Sequence, residues 1–255
     1  MAGAGRGGDP AAMHAPSWPA ITGPLRGLAG RFGRYGLPSR CLVCGEAGQA
    51  RHDLCPACEA ALPWNRIACP RCGLPLAAPA PACGACLRRP PVFDAVRAAF
   101  VYAAPLDRLL PRFKFHRDLA AGALLAGLMA TALRAAPPAP WPDALVPVPL
   151  HRGRLRARGY DQALELARPL ARGCGVPLQA GVLRRRRATA AQSELDAAAR
   201  RRNLRAAFAV HGAVPAHVAL VDDVMTTGAT LEAAARALRK AGAERVEAWV
   251  CARVP

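Results

Sequence analysis

The sequence predicts an α/β protein: a parallel sheet flanked by helices, with a cysteine-rich module ahead of it. Three observations lead there. Short, near-continuous apolar runs at residues 144–150, 218–221 and 246–250 read as strands covered on both faces. The Ala-rich stretch 230–240 has Arg236, Arg239 and Lys240 in its last turn and Gly242 just beyond, so it reads as the helix joining the last two runs in a β-α-β unit. Eight of the ten cysteines fall in C-x-x-C pairs between residues 41 and 86.

Taken in order, residues 1–40 are rich in Gly, Pro and Arg without a firm apolar period, and are expected to be a basic, mostly disordered segment. Residues 41–90 carry four knuckles, Cys41/Cys44, Cys55/Cys58, Cys69/Cys72 and Cys83/Cys86, with ten residues between each pair and the next. A C-x-x-C turn presents both thiolates to one tetrahedral ion, so two pairs complete a Cys₄ zinc site and four pairs complete two. Gly45, Gly73 and Gly84 supply tight turns beside them. Four knuckles combine two by two in three ways; neighbours are preferred, as consecutive ribbons. No coordination position is left open in such sites, so the zinc is structural.

Residues 91–255 hold the sheet. A strand is expected over 93–102, then helices over 106–115 and 119–133, broken near His116, then a Pro-rich connector at 135–142. Residues 144–150 are expected to be the first strand of the parallel core, stopped by Pro147 and Pro149, which cannot donate to a ladder. Beyond it, residues 151–159 read as a basic, glycine-bearing loop whose arginines, Arg156 and Arg158 among them, either neutralise a pyrophosphate or form a solvated surface. A helix follows over 161–172, ended by Gly173 and Gly175. Residues 182–183 suggest a short strand, 192–205 are strongly basic, and 208–210 are β-prone. The arginine-rich excursion fits a lid over a phosphate site and a groove for single-stranded nucleic acid equally well.

The formal net charge of +18 points to a polyanionic partner, nucleic acid or a phosphate-rich ligand. Of the 35 basic residues only Lys114 and Lys240 are lysines, a bias typical of a GC-rich genome. No secretory signal is visible, and the longest apolar run, residues 119–133, is too short to span a bilayer. Paired cysteines in a non-secreted chain mean metal rather than disulfides, so the expected location is the cytoplasm.

Chemistry concentrates after the run 218–221. Asp222 and Asp223 follow it directly, and open parallel sheets bind ligands beyond the carboxyl ends of their strands. Thr226, Thr227, Gly228, Ala229 and Thr230 would offer backbone N–H groups and hydroxyls at a helix N-terminus, which favours an anion such as phosphate. The acids suit vicinal hydroxyls or a hydrated Mg²⁺. The loop as a whole therefore matches a sugar phosphate; it is neither a Walker A loop nor a G-x-G-x-x-G fingerprint.

The run V-D-D-V-M-T-T-G-A-T resembles the 5-phosphoribosyl-1-pyrophosphate (PRPP) signature of type I phosphoribosyltransferases. With four C-x-x-C knuckles, V-P-V-P-L-H, R-x-R-G-Y-D-Q-A-x-E-L-A at 156–167 and Q-x-x-L-x-x-x-x-R-R-x-N-L-x-x-A-F ending at Phe208, the chain resembles the ComF family from Cys41 to its end. Two places depart from that pattern: Tyr160-Asp161 stands where Phe-Asn is usual, and Leu110 and Pro111 alter the segment before Lys114.

The resemblance implies a double zinc ribbon packed on a type I phosphoribosyltransferase fold, with Asp222 and Asp223 as the catalytic pair on the ribose and residues 226–230 on the 5′-phosphate. It also implies PRPP with Mg²⁺ as ligand, two structural zinc ions, and a role in natural transformation that handles single-stranded DNA with a competence helicase. Two readings follow. The chain is a phosphoribosyltransferase, or it is a non-catalytic module that binds single-stranded DNA or a protein partner and retains a PRPP pocket.

Overall fold

Two core layers form because the central strands are apolar on both faces. In the computed structural model, which describes residues 39–49, 52–186 and 207–255, four parallel strands form one sheet. They are β1 (Ala95–Val101), β2 (Ala144–Pro147), β5 (His217–Met225) and β6 (Arg245–Arg253), in the order β1-β6-β5-β2. Along β5, Ala219 and Val221 enter one core while Val218 and Leu220 enter the other; along β6, Trp249 and Cys251 alternate likewise with Ala248 and Val250. This period-2 division explains why the runs read as continuous hydrophobic segments rather than alternating ones.

One core is closed by α4 (Leu119–Ala135) and α6 (Gln162–Cys174). α4 is capped by Asp118, whose side chain accepts from the Ala121 N–H, and it buries residues around most of its circumference. α3 (Leu106–Phe115) lies beside it, with the Phe113 ring so close that a Cβ on Gly122 would stand 2.4 Å away. The other core is closed by α7 (Ala229–Lys240), with the small antiparallel hairpin of β3 (Leu183–Arg185) and β4 (Phe208–Val210) beside it. Each fully buried Leu or Phe here contributes roughly 1.5–3 kcal/mol of transfer free energy.

Several expectations are revised. β1 joins the parallel sheet at its edge through β6, so residues 144–150 do not supply the first core strand; β2 is the opposite edge and ends at Pro147. Residues 151–159 are not a loop: α5 (Arg152–Arg158) is a helix, entered through His151, whose Nδ1 accepts from the Gly153 N–H at 3.2 Å, and ended by Gly159 at φ +83°. α6 runs through Gly173 and stops at Gly175, the left-handed residue. The basic stretch 192–205 and residues 1–38 lie outside the described residues.

The cysteine module is a tandem repeat. Gly45 and Gly73, both at positive φ, close turns back to the Cys41 and Cys69 carbonyls at 2.8 Å. The second knuckle of each unit opens a short helix, α1 (Pro56–Ala60) after Cys55 and α2 (Gly84–Arg88) after Cys83. Gly84 is therefore a helical residue and supplies no left-handed turn. The repeat braces the sheet edge: Val101 N–H donates to the Pro63 carbonyl, Asn65 N–H to Ala99, and Val96 N–H to Pro70. It thereby covers backbone groups that an open edge would expose.

At the amino ends of the strands, the fully buried Glu247 accepts from Trp249 Nε1 at 3.0 Å and Arg245 Nη2 at 2.9 Å, and lies 3.3 Å from Arg97 Nε. The carboxylate is thus compensated rather than stranded. The opposite, carboxyl rim holds the site.

Candidate functional site

β5 does not stop ahead of the two acids but runs through them to Met225, so they occupy adjacent strand positions and project to opposite faces. Asp223, 6% exposed, turns toward α3, where Lys114 Nζ lies 2.8 Å from its Oδ2. Each acid also accepts the next backbone amide: Asp223 N–H donates to Asp222 at 2.9 Å and Val224 N–H to Asp223 at 2.8 Å. Burial pushes the Asp222 carboxyl well above its ordinary value of 3.8, and the charge of Asp223 adds to the shift; the Asp223 amide and Lys114 oppose it.

Asp222 lies within electrostatic reach of one guanidinium, which in turn feels a second from another element. Arg185, on β3, is lowered from its ordinary value by burial and then by the charge of Arg154 on α5, while Asp222 works the other way. Even so lowered, an arginine remains a cation. Arg185 also lies 5.5 Å from the Phe208 ring centroid, which fixes it against β4. The rim therefore sets Lys114 against Asp223 and places Arg185 within electrostatic reach of Asp222.

The turn after the acids is shaped by Gly228. It sits at φ +78° as the N-cap of α7, where no side chain caps the helix, and a Cβ there would meet Met225 Cε at 2.6 Å. Thr226 and Thr227 are exposed, Ala229 and Thr230 half-buried. Among the described residues, Ala229 N–H has only a long contact, 3.4 Å, to Thr227 Oγ1. The first-turn amides of α7 have no intrahelical partner and point out of the N-terminus, where the macrodipole favours an anion.

Of the two arginines singled out on residues 151–159, Arg158 turns to α3 and α6: its Nη1 donates to Gln162 Oε1 at 3.0 Å, and its guanidinium lies over the Phe115 ring. Arg156 is exposed on α5. Arg154, on the same helix, is the member within electrostatic reach of Arg185. Asp161, the acid that departs from the family pattern, is the N-cap of α6. Its oxygens accept from the Leu150 and Leu164 amides at 2.9 and 3.2 Å, and burial raises its carboxyl above the ordinary value, Asp223 adding to the effect. It ties the exit of β2 to α6 and thereby holds the rim's floor.

The eight paired cysteines come together as two groups of neighbours: Cys41, Cys44, Cys55 and Cys58, and Cys69, Cys72, Cys83 and Cys86. In each, the four Sγ atoms lie within 4.8 Å of one another. Zn–S bonds of about 2.3 Å in a tetrahedron require S···S edges of about 3.8 Å. Cys44–Cys55 and Cys72–Cys83 stand at 3.7 and 3.6 Å, so the donor sets fit two structural zinc ions. Burial disfavours the Cys41 thiolate, but amides of Cys44, Cys55 and Val43 outweigh it and bring the group down to about 6. The Cys86 amide brings Cys83 down to about 7. Cys58 is pushed up by its hydrogen bond with Cys55, and Cys86 by burial. Four crowded thiols cannot all ionise without a cation among them.

Lys114 and Arg185 join the site without a motif that singles them out, and Arg154 is one of the arginines expected at 151–159. Lys114 had a signal: it is one of two lysines in a chain that otherwise uses arginine. Arg154 and Arg185 lie inside arginine runs that hide individual roles. A cavity of about 560 Å³ lies elsewhere, among Trp64, Asn65, Val96, Met129 and Leu133, and none of the rim residues lines it.

Two family models match the chain, a double zinc ribbon domain over residues 34–87 and a phosphoribosyl transferase domain over residues 160–255. The chain is 37% identical over 224 residues to Competence protein F of Haemophilus influenzae, an alignment covering 84% of this chain and 96% of that one. It is 36% identical over 222 residues to DNA utilization protein YhgH of Salmonella typhi, covering 85% and 98%. Among solved structures, a purine phosphoribosyltransferase from Pyrococcus horikoshii matches at 20% identity and a TM-score of 0.30, over 51% of this chain and 80% of that one. The allosteric regulatory enzyme of purine biosynthesis matches at 21% and 0.37, over 51% and 26%.

Proposed function

This chain belongs to the ComF family, with a double zinc ribbon and a phosphoribosyltransferase-like domain, and from that premise we propose that it binds PRPP with Mg²⁺ at the carboxyl rim and serves DNA uptake or utilisation. One observation carries the reading: the Asp222–Asp223 step and the uncapped, left-handed Gly228 turn lie on one strand–loop–helix connection. A ribose diol fits the acids and a 5′-phosphate fits the amides of residues 228–230. Lys114 holds Asp223 until a ligand takes its place. Arg154 and Arg185 offer positive charge to a pyrophosphate on the Asp222 side.

Bound Mg²⁺ would supply further neutralisation of the pyrophosphate. The protein's own contribution to transfer would be orientation of the ribosyl group and a fixed field around the departing charge, with no general base required. A non-catalytic role uses the same pocket, and the net charge of +18 favours it by suiting a nucleic acid partner.

Thermal unfolding with ligands tests the pocket. Mg²⁺-PRPP at a hundredfold excess over Kd should add about 2.7 kcal/mol of stability. Ribose 5-phosphate should act less strongly, and both effects should be weakened by Gly228→Ala. A melting temperature unmoved by PRPP refutes the pocket. Release of pyrophosphate separates transferase from binding protein.

A further inference from the structure

Large apolar side chains exposed among the described residues are few, and three of them, Phe115, Leu119 and Leu155, belong to the α3–α4 corner and to α5. The two places are knit together. Arg158 on α5 places its guanidinium 5.3 Å from the Phe115 centroid, Arg117 Nε donates to the Arg158 carbonyl at 3.1 Å, and Gln162 accepts from Arg158 while donating to the Lys114 carbonyl. Arg117 adopts φ +57°, a conformation uncommon for a non-glycine residue, in making this corner. Phe115 remains 63% exposed although a guanidinium lies over it.

Among the described residues the corner is rich in positive charge. Arg117 lies two residues after Phe115, and Arg152, Arg154, Arg156 and Arg158 share α5. The nearby carboxylates are engaged: Asp118 by Arg112 and the Ala121 amide, Asp161 by two backbone amides. Apolar residues interleaved with cations, as in Lys114-Phe115 near Arg117 and in Arg154-Leu155-Arg156, suit a chain of phosphates carrying unstacked bases. A peptide groove needs a continuous apolar face, which this interleaving breaks.

We propose that the Phe115 ring, held by Arg158, is a base-stacking platform for single-stranded nucleic acid, whose phosphates run over the arginines of α5 and Arg117. The proposal rests on the DNA-binding part of the function proposed above. It adds the place: Lys114, the residue before Phe115, reaches Asp223, so a strand on the platform passes beside the rim.

The test is fluorescence anisotropy of a labelled oligo-dT with the zinc-loaded full chain, across salt, for wild type, Phe115→Ala, Phe115→Trp and Arg158→Gln. Loss of one stacked base predicts affinity roughly five- to a hundredfold weaker in Phe115→Ala, restored in Phe115→Trp. Arg158→Gln should lower the salt slope by about one, while Phe115→Ala leaves it unchanged. An unchanged melting temperature and undiminished Mg²⁺-PRPP binding in Phe115→Ala check the fold. If wild type binds oligo-dT and Phe115→Ala binds it equally, the platform is wrong and the DNA reading stands. If wild type binds none, the DNA reading falls and the platform with it. If poly-glutamate displaces oligo-dT from wild type and Phe115→Ala alike, the corner is a contact for acidic proteins and the proposal is overturned.

Discussion

Replacing Lys114 by Met tests the electrostatic frame of the rim. The ammonium lies 2.8 Å from an Asp223 carboxylate that is 6% exposed, with Asp222 adjacent. Two unit charges at about 4 Å attract by about 4 kcal/mol at an effective dielectric of about 20, and desolvation offsets part of that. The Lys114 side chain is 29% exposed, which lowers the net effect further; about 2 kcal/mol is the expected loss at neutral pH. For a domain of this size that is a fall of about 4–8 °C in Tm. The assay is urea and thermal unfolding of the zinc-loaded protein for Lys114→Met, Asp223→Asn and the double variant. A coupling of about 1–2 kcal/mol is expected between the two positions. Equal costs of Lys114→Met with and without Asp223 would refute the reasoning, because the lysine would then act through packing alone.

Gly228→Ala forces a left-handed φ of +78° on a residue with a Cβ, at about 1–2 kcal/mol, and displaces the flexible Met225 terminus. Thermal unfolding should show this loss, as it should for Gly242→Ala at φ +111°, but only Gly228→Ala should also weaken ribose 5-phosphate in a titration. Asp222 gives a pH signature. Its folded-state value is raised, so the stability it contributes is present below the ordinary 3.8 and is lost as pH rises through the raised value. Asp222→Asn should therefore melt higher than wild type at pH 7 and converge with it in acid, while Mg²⁺-PRPP affinity of the wild type should climb with pH across the same window. Metal analysis should find two zinc ions per chain, and chelation should expose eight further reactive thiols and lower Tm. Acidification should release the zinc, because protons compete for the thiolates. One ion per chain would contradict the paired clusters.

What was legible beforehand followed from local physics. α3 starts and stops where its apolar period does, and the two Cys₄ groups pair as neighbours because each unit repeats one turn-and-helix design. The apolar run alone understates the strand through Asp222 and Asp223, because two carboxylates look like the end of a buried run; their partners, Lys114 and Arg185, come from elements distant in sequence. The helix α5 was hidden for a related reason. A segment of arginine and glycine has no apolar stripe, and its capping by His151 and stop at Gly159 become visible only in three dimensions. Asp161, a departure from the family pattern, is the cap of α6. The place of β1 in the parallel sheet depends on its pairing with β6, some 150 residues on, which no local pattern encodes.

If Asp222 and Asp223 with the Gly228 turn form a sugar-phosphate pocket, calorimetric titration should register it. Mg²⁺-PRPP would be titrated into the zinc-loaded wild type and into Asp222→Asn/Asp223→Asn. Saturable binding in the wild type, weakened about a hundredfold or more in the variant by loss of two charged hydrogen-bonding groups, is the predicted result. No saturable heat with wild type, or equal binding by the variant, would contradict it.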